Sequence, residues 1–422
     1  MIEAGSIHPL ARARSGTLAD SVQHNPIVTF SGGERESNLH AMDQDASVPS
    51  LASPPRVRFA AHSPFSRELK RRTDAYFDGP GGRRRDLPGM YLKSAIILTW
   101  FVGSWALLVF YASTWWQGAL LATSLGLSIA GVGMSIQHDA NHGAYSSHPI
   151  VNKAFRLSLD IMGVASFIWR QKHNVFHHTF TNIEGIDFDL DFAPVARLSP
   201  EQTRRVGHRF QHIYMWALYG LLLPKWVFVD DWNHLRTRRA GPHHLSKPSR
   251  GDIAMFAFGK VFFVLWSIVI PALYHPIWQV AVFHFIMVMA LGVTLSSVFQ
   301  LAHVVEEVEY HALPTRGAQL PHCVATHQLE TSVSFARESA LCSWYFGGLN
   351  FQVEHHLFPK VCHLHYPALS RIVEEVAAEH GLRYRVNRTF GDAVVSHYRM
   401  LRKLGQPGME IRESVASEHV AT

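Results

Sequence analysis

Four apolar segments, each near bilayer length, constrain this chain more than any other feature. Ser94 to Tyr111 and Gly118 to Ile136 carry no charged residue, Ile253 to Tyr274 carries only Lys260, and Ile277 to Phe299 carries only His284 among its titratable groups. About 20 consecutive apolar residues are what a helix needs to cross the hydrocarbon core. The links within each pair, Ala112 to Gln117 and His275-Pro276, are too short for anything but a hairpin. A further apolar stretch, Ile213 to Val229, is interrupted by Pro224-Lys225 and reads as an interfacial helix. These features predict an all-α integral membrane protein with four transmembrane helices in two hairpins.

The polar regions are asymmetric. Neither hairpin link contains Lys or Arg, whereas seven basic residues lie between Arg67 and Arg85. By the positive-inside rule both termini and the long segment Gln137 to Asp252 lie on the cytoplasmic side. Residues 1 to about 60 are polar and aperiodic, reading as a disordered tail without the basic start and apolar middle of a signal peptide; Met42 is an alternative start. Phe65 to Phe77 has the pattern of a short basic amphipathic helix. The expected organisation is a tail over 1–60, one domain over 61–400 and a C-terminal tail over 401–422.

Composition narrows the function. The 422 residues hold 39 Lys plus Arg against 33 Asp plus Glu, a net charge of +6, too small for a dedicated nucleic-acid binder. Three cysteines without a Cys-x-x-Cys pair imply neither a disulfide framework nor a thiolate metal site. Histidine is abundant, at 28 residues, and it is clustered.

The clusters are His138-Asp139-Ala140-Asn141-His142 after the second apolar segment, His173-Asn174-Val175-Phe176-His177-His178, and Gln352-Val353-Glu354-His355-His356, with His303 just past the fourth segment. Histidines at i and i+4 share a helix face and can hold one metal. The charge pattern puts all eight imidazoles on one membrane face. A zinc site needs three or four ligands, so eight indicate two metals. Neither the zincin His-Glu-x-x-His nor the Glu-x-x-His of soluble di-iron bundles is present. A histidine-rich pair of redox metals at a membrane surface suits activation of dioxygen for attack on an unactivated C–H bond.

The clusters, their order and the pattern of apolar segments closely resemble the membrane fatty acid desaturases, over about residues 56 to 400. Gln352-Val353-Glu354-His355-His356, with glutamine where most desaturases have histidine, is similar to the front-end subgroup. So are Trp169-Arg170-Gln171-Lys172-His173 and Asn350 to Pro359. That subgroup inserts a double bond between the acyl carboxyl end and an existing double bond, in delta-5 and delta-6 types. The resemblance implies two iron ions held by His138, His142, His173, His177, His178, His303, His355 and His356, with dioxygen as co-substrate and Gln352 in a box position. It implies a cytoplasmic helical cap carrying this centre and a fatty acyl substrate linked to CoA, a carrier protein or a lipid. Many front-end enzymes carry a fused cytochrome b5 domain with His-Pro-Gly-Gly, a motif this sequence lacks. The electron donor is then expected to be external, ferredoxin or free cytochrome b5 with its reductase.

Other residues carry weaker expectations. Asp139, Asn141, Asp187, Asp189 and Asp191 lie beside the clusters and could accept ring N–H groups of ligating histidines. Glu306 and Glu307, one turn beyond His303, are expected near the metal face because helical spacing brings them there. Glu354 is expected to be structural, and His363 and His365 no closer than the surroundings of the metals. Trp169, Trp344, Phe351 and Phe358 could line an acyl tunnel. Two rival functions remain at this point: a di-iron hydroxylase or other oxygenase, and a histidine-rich metal transporter, which would need polar groups at mid-membrane on several helices.

Overall fold

The computed structural model describes residues 57–312 and 319–408; most of the expected N-terminal tail and all but the start of the C-terminal tail lie outside them. The described chain is mostly helical. Four helices are long and apolar enough to cross a membrane: Pro88–Phe110, Trp115–His142, Arg250–Ala272 and Ile277–His303.

These bounds differ from the sequence reading where polar residues extend a helix. The second helix begins in a capping box, with the Thr114 hydroxyl accepting from the Gln117 N–H and the Gln117 side chain returning to the Thr114 N–H. It then continues through a π-helical stretch, Val132–Gln137, into the helical turn His138–His142. The first histidine cluster is therefore the end of this apolar helix and not a loop after it. The fourth helix likewise ends on His303 itself.

The second and fourth helices pack along most of their length, and small residues let them approach. A Cβ built on Gly126 would stand 2.4 Å from the Met287 carbonyl oxygen, and one on Gly292, where the fourth helix meets the short helix Gln211–Tyr219, would stand 2.5 Å from the Tyr219 carbonyl oxygen. This is the small-residue packing that brings helices together where apolar burial alone gives no preference. The apolar stretch at 213–229 divides into short helices, Gln211–Tyr219 and Leu222–Lys225, followed by a π-helical segment, Trp226–Asp230. Ile213, Leu221, Phe228 and Val229 remain exposed on it.

Packing contacts run past both expected ends of the domain. Val57 and Phe59 pack against a cluster containing Ile183, Ile186 and Leu320, and Arg58 bridges to Gln319, so the folded part starts before residue 61. At the other end the helix Phe390–Leu404 buries Met400, Leu401 and Leu404, carrying it past residue 400. The amphipathic helix expected near the start is Pro64–Asp78. Ser63 caps it, and Phe65, Leu69, Thr73 and Phe77, four residues apart, face inward. It lies against the helix Tyr366–Glu379. Among the described residues the departures from an all-α fold are two short ladders: Arg239–Ala240 antiparallel to His243–His244, and Ser334–Phe335 parallel to Val386–Asn387, with Ser334 opposite Val386.

Lys260, the charge within the third apolar helix, faces protein. Its ammonium donates to Asp231 Oδ2 at 2.7 Å and to the Val227 carbonyl at 2.9 Å. Asp231 also accepts from the Ala165 N–H at 2.8 Å, so one buried pair joins three segments. Removing one partner of such a pair leaves an uncompensated charge. Lys260→Met is expected to cost about 3–5 kcal/mol, read as a lowered thermal midpoint of the detergent-purified protein. Adding Asp231→Asn should restore most of the loss; a single variant as stable as the parent would show that the pair contributes nothing.

Candidate metal centre

The three histidine clusters and His303 meet in one buried region. His138, His142, His173 and His355 present ligand atoms within 4.8 Å of one another, and so do His177, His303 and His356. His178, with His355 and His356, falls within the same limit and lies between the two groups. All eight side chains are buried.

Local backbone explains how each imidazole arrives. His138 and His142 share one face of the final turn of the second apolar helix. His173 and His177 lie on a π-helical stretch, Gln171–His177, a form frequent at functional sites. His173 falls in the first group and His177 in the second, and the two also lie together with Asp189 within the same limit, so the i, i+4 pair can still face one metal. The helix Gln352–Leu357 carries His355 and His356 side by side, so they too divide between the groups.

Acceptors hold the outer ring nitrogens of His356 and His303, whereas His178 Nδ1 is buried without a partner. His356 Nδ1 lies 2.7 Å from Gln328 Oε1, and His303 Nδ1 lies 3.2 Å from the Thr331 carbonyl oxygen. Both therefore carry their proton on Nδ1 and turn an Nε2 lone pair inward. Yet the two Nε2 atoms stand 3.2 Å apart. Two lone pairs at that distance repel unless a cation or an N–H donor meets them; the Gln352 amide nitrogen, 2.9 Å from His303 Nε2 and 3.3 Å from His356 Nε2, is such a donor. His142 Nε2 and His355 Nε2 are buried with no hydrogen-bond partner, which in a dry interior is costly. The donor set fits metal ions: neutral imidazoles with fixed tautomers, converging and otherwise unsatisfied.

Electrostatics agree outside the apolar helices. Burial, reinforced by neighbouring imidazoles, holds His173, His178, His355 and His356 well below the usual histidine range, keeping them in the neutral, ligating form. His177 differs. Burial opposes its charge, but the Asp187 and Asp189 carboxylates, each 3.3 Å from Nδ1, outweigh it and lift the ring to about 9.

The weaker sequence expectations fare unevenly. The Gln352 amide lies inside the second group, its nitrogen 2.9 Å from His303 Nε2 and its Oε1 buried and unpartnered. Asp187 receives His177, while Asp139 touches no ring nitrogen of the eight histidines. It accepts instead from His363 Nδ1 at 2.9 Å, whose Nε2 meets the buried Lys93 at 2.8 Å. Glu306 and Glu307 are not at the centre. The helix stops at His303 and the chain turns away, so Glu306 pairs with Lys403 and Glu307 accepts from Ser396 Oγ at 2.6 Å. Trp169 stacks on His173 with ring centres 4.3 Å apart. Trp344 lies under Lys93 and is 38 % exposed, and Phe351 packs in a separate core with Phe77 and Tyr366, so neither borders the apolar cavity beside Trp169. Sequence reasoning missed Gln328 and Thr331. Their only signal is a shared face of the helix Val324–Thr331, three residues apart.

A model of the fatty acid desaturase family matches residues 113–388. The chain belongs to this family. The desaturase is 38% identical over 351 residues to the sn-1 linoleoyl-lipid 6-desaturase of Arthrospira platensis, covering 83% of the chain and 95% of that relative. It is 35% identical to a protein of the same description from Synechocystis sp., over 83% of the chain and 98% of the relative. An acyl-lipid (8-3)-desaturase of Physcomitrium patens is 36% identical, over 82% of the chain and 72% of the relative. The histidine-rich centre thus belongs to an oxidoreductase that desaturates fatty acyl chains.

Gln328 gives its Oε1 to His356 and its amide nitrogen to the His178 carbonyl at 2.7 Å. Gln328→Leu is expected to lower metal retention about 10–100-fold without unfolding the protein, checked by metal analysis after dialysis against a chelator. Unchanged retention would mean that Gln328 does not orient His356 for binding.

Proposed function

We propose that the enzyme is a front-end acyl-lipid desaturase with two irons, and that His138, His142, His173, His177, His178, His303, His355 and His356 hold them. The observation that carries the ligand assignment is the inward-facing pair of Nε2 lone pairs on His303 and His356, 3.2 Å apart. Gln352 in the third cluster and the relatives named as 6- and (8-3)-desaturases support the front-end reading. Their acyl-lipid descriptions favour a lipid-linked substrate over an acyl-CoA. We assign the first group, His138, His142, His173 and His355, to one iron, and His177, His303 and His356 to the other, with His178 between them and the Gln352 amide beside the second.

Iron held there would supply reductive activation of dioxygen: two hydrogens from adjacent methylenes, two electrons from a separate carrier (ferredoxin or cytochrome b5) and two protons would leave with the two oxygen atoms as two waters. The chain's own residues position and shield. Gln328, Thr331 and Asp187 fix ring orientation. Trp169 forms a wall between His173 and an apolar cavity lined by Leu223, Trp226, Leu291, Leu295 and Phe299. Such a space, dry and adjacent to the histidines, suits an acyl chain. The two-hairpin arrangement, with the centre on the cytoplasmic face, follows from the absence of Lys and Arg in the hairpin links and their abundance elsewhere. One catalytic domain then extends from about residue 57 to 404, with tails on either side.

Expression in a host supplied with linoleic and alpha-linolenic acids, with fatty acid methyl esters analysed by gas chromatography–mass spectrometry, tests this reading. A new double bond on the carboxyl side of an existing one is expected, and its loss in His356→Ala with membrane insertion intact. A hydroxylated product would favour the oxygenase alternative, and a new double bond towards the methyl end would overturn the front-end assignment.

Leu295→Trp fills the cavity beside Trp169. It should lower conversion of C18 substrates about tenfold or more while iron content is unchanged. Full conversion would move the acyl chain elsewhere.

A further inference from the structure

Away from the histidine boxes, a second group of potential ligands meets where the fourth apolar helix has ended and the chain returns past the second box. His311 Nε2 lies 3.6 Å from Glu330 Oε2, and His322 Nε2 lies 3.8 Å from Glu330 Oε1. Both separations are too long for hydrogen bonds. His311 Nε2 and Glu330 Oε2 are buried and have no hydrogen-bond partner. Burial lifts the Glu330 carboxyl to about 7 and depresses His311, so neither side of this contact is a settled ion pair. Arg385, the nearby cation, is committed to Glu309 and the Leu329 carbonyl.

Two nitrogens reaching the two oxygens of one carboxylate, with the buried atoms unsatisfied, describe ligands awaiting an ion. Ligands bound tetrahedrally at about 2 Å stand roughly 3.4 Å apart, so shifts of a few tenths of an ångström would close this set. We propose that His311, His322 and Glu330 bind one divalent cation of the zinc type, distinct from the histidine-box centre.

The position gives such an ion a role. His311 is tied to the second box, its N–H donating to the Asn182 carbonyl at 3.1 Å and its carbonyl accepting from the Glu184 N–H at 3.0 Å. Glu330 sits on the helix Val324–Thr331, whose Gln328 and Thr331 hold His356 and His303. A cation joining His311 to Glu330 would clamp that helix against the second-box segment, fixing the outer supports of two imidazoles at the iron centre without touching either. Two protein nitrogens, a carboxylate and water complete an ordinary zinc coordination number.

The full-length protein, purified in detergent from cells grown with iron and zinc, is analysed for both metals by mass spectrometry. About one zinc per chain is expected beside the iron. His322→Ala changes a residue 38 % exposed; it should reduce zinc roughly tenfold or more and leave iron in the protein as purified, with that iron then lost faster to a chelator, and Glu330→Gln should do the same. His356→Ala should lower iron and spare the zinc. Cobalt(II), added after selective zinc removal, should give visible absorption bands in the parent protein that His322→Ala abolishes. Zinc that persists in His322→Ala, zinc that disappears with His356→Ala instead, or no zinc in the parent protein would each overturn the proposal. Failure of the iron assignment would show separately, as iron content insensitive to His356→Ala.

Discussion

Eight buried imidazoles in one place are the constraint around which this structure is arranged. An imidazole taken out of water must satisfy two nitrogens, and one of them carries a lone pair. If water or an N–H met every lone pair, the region would be wet or crosslinked. Here many of the inner nitrogens meet only each other. That arrangement is tolerable when cations occupy the shared space, so the folded form of this region and its metal-binding capacity are one property. The dryness that makes the bare cluster unfavourable also keeps His173, His178, His355 and His356 neutral, as ligation requires.

Holding the rings takes a lattice of bonds between segments far apart in sequence. Asn174 Nδ2 donates to the Asn141 carbonyl at 2.9 Å, joining the second box to the first. Asn182 Nδ2 donates to the His303 carbonyl at 3.0 Å, joining the second box to the end of the fourth apolar helix. Gln328 joins the second box to the third. Asp139 joins the first box to His363 beyond the third. Each bond satisfies a buried polar group that would otherwise cost stability, and together they convert four separate histidine segments into one rigid surface. The apolar helices contribute by where they stop: the second ends on His142 and the fourth on His303, delivering ligands from rigid rods.

The legible part of this architecture was whatever periodicity and residue type encode. Charge-free runs marked the four apolar helices, and clustered histidines marked the eight imidazoles that now meet. What escaped was set by chain direction and by contacts across long sequence separations. Glu306 and Glu307 were placed near the metals by extending a helix that in fact stops at His303. Phe351 sits one residue before the third box, yet its ring turns into another core with Phe77. His173 and His177 lie on a π-helical segment, whose angular spacing differs from the one the i, i+4 rule assumes, so the spacing alone does not say which neighbours each ring meets. Gln328 and Thr331 act on residues 28 positions away in sequence, and no local pattern announces them.

The apolar helices also decide between catalysis and transport. A transporter needs ionisable groups facing a path through the bundle, whereas here the polar groups of the four helices are committed locally. Lys260 is bound to Asp231 and to backbone carbonyls, His275 donates to the Val109 carbonyl at 2.7 Å, and Ser128, Ser267 and Thr294 bond carbonyls of their own helices. His284 keeps an unpartnered Nδ1, but it lines a cavity with Trp266, Phe283 and Met287 whose other titratable residue, His275, lies in the link before the fourth apolar helix and is bonded to the Val109 carbonyl. Among the described residues, the bundle offers an ion no ladder of sites. It offers apolar walls, and those walls reach the histidines at Trp169, which lines the cavity and stacks on His173. A chain of methylenes can follow that route where a hydrated cation cannot.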